Sequence, residues 1–127
     1  MFVPAPLLAG KRVLIVEDES LVAMLIEGLL EDCGCRIVGP CGTVEQALEA
    51  ARTEAFDLAV LDVNLRGKKV YPVAEVLAER HIPFLFLSGY GEEAIPPGRT
   101  TWKVCAKPFK GNELMDMLSS ALSSAVH

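Results

Sequence analysis

Phe56-Asp57-Leu58-Ala59-Val60-Leu61-Asp62-Val63-Asn64-Leu65 holds a short apolar run that ends on a carboxylate. A run of this length between polar residues has the pattern of a strand buried on both faces, as in parallel sheets. In open α/β sheets, ligands bind just outside the carboxyl ends of the strands. Asp62 is therefore the first candidate for chemistry, and the rest of the chain is read for residues that would join it.

At 127 residues the chain suits one domain with a sizeable core. It is 51% hydrophobic and 23% charged, a balance expected of a folded protein. Twelve basic against seventeen acidic residues give a net charge of −5. That argues against nucleic acid as a partner, because phosphate binding needs a basic footprint. Arg66, Lys68 and Lys69 form just a small basic loop. The opening segment Met1–Gly10 is interrupted by Pro4 and Pro6, has no basic residues before its apolar part, and is too short to span a bilayer. A cytoplasmic location without membrane contact is the expectation. Cys33, Cys35, Cys41 and Cys105 contain no CxxC pair and read as buried thiols.

Five apolar runs alternate with helical patterns. Val13–Val16 is followed by Glu17, Asp18 and Glu19; Ser20 can then cap a helix that places Val22, Leu25, Ile26 and Leu29 on one face and stops at Gly34. Arg36–Val38 is a short second strand. Thr43 and Gln46 have capping-box spacing at the head of a second helix. After the stretch ending at Asp62, Pro72 suits the first turn of a third helix. Phe84–Leu87 is a fourth strand. The segment from Ser88 to Gly98 has two glycines at its start and two prolines at its end, so a fourth helix there is short or weak. Trp102–Ala106 is a fifth strand, and Leu114, Leu118, Ala121, Leu122 and Ala125 mark the last helix.

Alternating strands and helices imply a parallel sheet with right-handed crossovers. The expected fold is a flavodoxin-like (βα)5 three-layer sandwich with strand order 2-1-3-4-5 and its switch point between strands one and three. Glu17, Asp18, Asp62, Ser88 and Lys107 would then share one edge. Carboxylates gathered there repel each other unless a cation sits among them. An all-oxygen site suits Mg²⁺, with a lysine and a serine hydroxyl beside it to hold phosphoryl oxygens. These parts fit phosphoryl transfer to an aspartate nucleophile.

Val16-Glu17-Asp18-Glu19, Leu61-Asp62-Val63-Asn64-Leu65, Ser88 and Lys107-Pro108 together resemble the receiver domain of two-component response regulators. The resemblance implies an N-terminal tail over 1–10 and a receiver domain over 11–125. It implies Asp62 as phosphoacceptor and metal ligand, Asp18 as direct Mg²⁺ ligand, Glu17 acting through water, and the backbone carbonyl of Asn64 as a further ligand. Ser88 and Lys107 would handle the phosphoryl group, and the Lys107–Pro108 bond would be cis. Such a domain is self-modifying and not a turnover enzyme. Its partners would be a histidine kinase or phosphotransfer protein and a downstream protein, unless it acts as a phosphate sink.

Receivers usually carry an aromatic three residues before the lysine, where this chain has Val104. The aromatic stands instead at Tyr90, in Phe84-Leu85-Phe86-Leu87-Ser88-Gly89-Tyr90. With Tyr71-Pro72, this is similar to the FAT GUY subclass, often single-domain and linked to HWE or HisKA2-type kinases; Leu87 and Ser88 replace its usual Ala and Thr. By that likeness Tyr90 is the switch residue. Two other readings stay open: a receiver-like scaffold that binds without phosphorylation, and an aspartyl-type Mg²⁺-dependent phosphatase. The second wants another Asp where Asn64 stands.

Overall fold

A computed structural model describes residues 8–89, 95–99 and 101–125. The quoted stretch becomes β3 (Leu58–Asp62), buried at all five positions. Burial of each Leu or Val side chain is worth roughly 1.5–3 kcal/mol relative to exposure, which explains why an all-apolar run is stable at the sheet centre. β1 (Arg12–Val16), β2 (Arg36–Cys41), β6 (Phe84–Ser88) and β7 (Val104–Ala106) complete a parallel sheet of order β2-β1-β3-β6-β7. This is the expected 2-1-3-4-5 order. The fifth strand is shorter than expected, starting at Val104, with Trp102 buried just ahead of it.

Alternate residues of the strands feed opposite layers, as the period of two dictates. Leu14, Val16, Ala59, Leu61 and Phe86 pack with α2 (Val44–Thr53) and α3 (Tyr71–Glu79). Val13, Ile15, Leu58, Val60, Leu85 and Leu87 pack with α1 (Ser20–Asp32) and α4 (Gly111–Ala125). The result is helices on both faces of one sheet. Leu8 is fully buried in the second layer, and the Cys35 thiol donates to its carbonyl.

Local signals explain most element ends. Thr43 accepts from the Gln46 N–H at 3.1 Å, and Gln46 Oε1 accepts from the Gly42 N–H at 3.0 Å. Pro72 lies in the first turn of α3. α1 departs from expectation. Glu19 is its N-cap, without a side-chain bond, and the inward residues are Ala23, Ile26 and Leu30. Leu25 is 54% exposed, together with Leu21 and Met24. Apolar residues occur on three sides of this helix, so periodicity alone could not choose the inward face.

The basic loop after Asp62 is a hairpin, β4 (Asn64–Leu65) against β5 (Lys68–Lys69). Arg66 (φ 50°) and Gly67 (φ 84°) form its two-residue turn, both with the positive φ of a type I′ turn. The expected weak fourth helix falls largely on 90–94, outside the described residues; the described helices are the four above. All four cysteines are free and buried.

Candidate functional site

The register of the sheet decides what meets at its edge. Val16 pairs with Leu61, Asp62 with Leu87, and Ser88 with Ala106. The residues that follow these strands must leave at one place. Glu17, Asp62 and Ser88 are the buried polar or charged residues among those described. Burial of such groups is costly unless they are paired.

Lys107 supplies the pairing. Its Nζ lies 3.2 Å from Glu17 Oε1 and 3.4 Å from Asp62 Oδ2. Lys107 N–H donates to the Ser88 carbonyl at 2.9 Å, which ties the lysine to the end of β6. The Lys107–Pro108 bond is cis, as expected. Glu17 N–H donates to the Cys41 carbonyl, which keeps Glu17 aligned with the sheet beyond β1. Its Oε2 accepts from the Glu19 N–H at 3.3 Å. Asp62 Oδ1 accepts from the Asn64 N–H at 3.4 Å. Asp18 is half-buried, and its Oδ2 accepts from the Arg66 N–H at 3.1 Å.

Oxygens of Glu17, Asp18 and Asp62 all lie within 4.8 Å of one another. Burial, reinforced by a hydrogen bond and charge repulsion from Asp62, raises the Glu17 pKa to about 8, against the opposing pull of Lys107. Burial alone would lower the Lys107 pKa, but the facing Asp62 and Glu17 outweigh it and hold it above the usual lysine value.

Glu17, Asp18, Asp62 and Lys107 thus come together at one sheet edge, and Ser88 is buried at the adjoining strand end. Asn64 is exposed at the start of β4. Tyr90 lies outside the described residues. Among the described residues, Phe86 contacts Tyr71 at 5.9 Å and Trp102 at 5.5 Å between ring centroids, with Phe84 against both Phe86 and Trp102. Arg99 stacks over Trp102 at 4.8 Å and pairs with Glu75. Sequence reading did not single out Arg66 for the site. An Arg-Gly pair between two short runs was the available signal, and it is weak because it carries no side-chain chemistry.

Residues 13–119 match the response regulator receiver domain. Transcriptional regulatory protein PdtaR of Mycobacterium tuberculosis is 31% identical over 119 residues, covering 89% of this chain and 57% of that protein. The solution structure of SdrG from Sphingomonas melonis Fr1 is 39% identical, with a TM-score of 0.74, covering 94% of this chain and 98% of that one. The response regulator PhyR from Brucella abortus is 27% identical, with a TM-score of 0.80, covering 94% of this chain and 51% of that one. The chain spans about half the length of the curated relatives it matches, 57% of PdtaR and 43% of PhyR from Methylorubrum extorquens. The chain belongs to the family of response regulator receiver domains, the phosphorylatable modules of two-component systems. No helix among the described residues is long and apolar enough to cross a membrane.

Proposed function

We propose that Asp62 accepts a phosphoryl group from a phosphohistidine of a partner kinase or phosphotransfer protein. The observation that carries this is the buried Asp62 carboxylate, set 3.4 Å from Lys107 and beside two further carboxylates. In the transfer, an Asp62 oxygen forms the new P–O bond as the P–N bond to the donor imidazole breaks; no water is consumed. Lys107 offsets charge on a phosphoryl oxygen, and the Ser88 hydroxyl donates to another. Each chain is modified once per phosphoryl group received, so the domain is a signal carrier and not a turnover enzyme.

The donor set fits Mg²⁺. Three carboxylates cluster here and two of them, Glu17 and Asp62, share Lys107; without a further cation Glu17 is driven towards its protonated form. Asp18, Asp62 and the Asn64 carbonyl would hold the ion, with Glu17 acting through water. Bound there, it would neutralise charge on the carboxylates and the incoming phosphoryl group.

Leu21, Met24 and Leu25 lie exposed on α1, which starts two residues after Asp18. Their position favours docking of the kinase's phosphohistidine domain, of HWE or HisKA2 type by the subclass likeness. Output then passes to a protein partner, with Tyr90 as the switch residue; a phosphate sink is the other outcome of the same chemistry.

Incubation with acetyl phosphate and Mg²⁺ should add the mass of one phosphate to the wild type and none to Asp62→Asn. No addition from acetyl phosphate or from a kinase would favour the scaffold reading, and steady phosphate release from phosphoesters the phosphatase reading. Met24→Glu should slow transfer from the kinase about tenfold and leave acetyl phosphate uptake unchanged. Equal transfer rates would remove α1 from the docking account.

A further inference from the structure

The β4–β5 hairpin follows the phosphoacceptor strand directly and is fastened at several points. Val63 N–H donates to the Leu87 carbonyl at 3.1 Å, and Val70 N–H closes the hairpin base on the Val63 carbonyl at 2.9 Å. Lys68 pairs with Glu45 on α2 at 2.6 Å. The Arg66 guanidinium lies over Gly42, where a Cβ would sit 3.7 Å from Nη2. The main-chain bonds hold the base of the hairpin, and the Arg66 side chain sets the turn beside the loop that follows β2.

At its tip the turn does something that no side chain supplies. The Arg66 N–H points at Asp18 Oδ2, 48 residues away in sequence, at 3.1 Å. In an ordinary strand extension this N–H would face a neighbouring strand. The turn that presents it is of type I′, with Arg66 and Gly67 both at positive φ, 50° and 84°. Hydrogen bonds to a carboxylate are charge-assisted and directional. One oxygen of Asp18 is thereby occupied and the other left for a cation.

We infer that Arg66, through its main-chain N–H, is the positioning residue for Asp18, and that the Arg66–Gly67 turn sets the divalent-cation affinity of the site. The inference rests on the metal reading above. It makes the hairpin a support for the outer wall of the site, carried by the same strand that carries Asp62. Groups that orient metal ligands typically change metal affinity by about ten- to a hundredfold when lost.

The test uses Gly67, which touches nothing in the site. Gly67→Val places a β-branched residue at φ 84° and should break the turn; Gly67→Asn tolerates that φ. Calorimetric titration with Mg²⁺ should show about tenfold weaker binding for Gly67→Val and wild-type binding for Gly67→Asn. Equal affinity in a folded Gly67→Val overturns the inference. Should Gly67→Val fail to fold, the Arg66 amide in the wild type decides. Its proton should resonate downfield and lose that shift in Asp18→Ala, and an unchanged resonance overturns the inference. A wild type that binds no Mg²⁺ defeats the metal reading instead, while the amide resonance still tests the contact to Asp18.

Discussion

Glu17 and Asp18 are neighbours in the chain, yet the protein holds them by different means. Glu17 belongs to an inner region, buried and facing the side chains of Asp62 and Lys107, with a local main-chain bond from Glu19 two residues on. Asp18 belongs to an outer region, half-buried and held by a main-chain donor from the hairpin. The inner region stores electrostatic tension, because Glu17 is driven up to about pKa 8. The outer region stores conformational constraint, in a turn with two consecutive positive φ values. Charge changes should therefore disturb the first and turn changes the second.

The largest effect should come from Lys107→Ala, which leaves Glu17 and Asp62 without their cation. Loss of one such charged group should slow phosphoryl uptake about a hundredfold, read as the rate of mass gain from acetyl phosphate. An unchanged rate would show that the inner region does not depend on Lys107.

The next concerns protons. Glu17 has a folded pKa of about 8 against an ordinary 4.5. A group raised in this way adds stability that is complete below its unfolded pKa and is lost as pH rises through its folded pKa. The Tm of the metal-free protein should fall by on the order of 5 °C as pH rises from about 5 to about 9. Glu17→Gln should flatten that slope and Mg²⁺ should reverse it. An equal slope in Glu17→Gln would place the titrating group elsewhere.

The smallest belongs to the outer region. Lys68 and Glu45 are both about two-thirds exposed, so their pair adds little. Lys68→Ala should change Mg²⁺ affinity by less than about twofold. A larger change would mean that the hairpin is held by its side chains and not by its turn.

How much was legible follows the same division. Glu17, Asp62, Ser88 and Lys107 could be found because their side chains must leave the sheet at strand ends, and strands this apolar announce themselves. The order of the sheet followed from alternation and handedness. The hairpin was not legible, since Asn64-Leu65 and Lys68-Lys69 are too short and polar for any periodicity. The inward face of α1 differs from expectation at Leu25 because apolar residues stand on several sides of the helix and packing turns Ala23, Ile26 and Leu30 inward. Tyr90 lies beyond the described residues, and the aromatic group at Phe84, Phe86 and Trp102 emerges once β6 and β7 are paired.

The central claim is that one carboxylate takes the phosphoryl group. Reduction of an acyl phosphate with borohydride converts the acceptor side chain to an alcohol, and peptide mass mapping locates it. After treatment with acetyl phosphate and Mg²⁺, the account predicts a reduced side chain at Asp62 alone. A reduced side chain at Glu17 or Asp18, or none in a protein that gained phosphate, would contradict it.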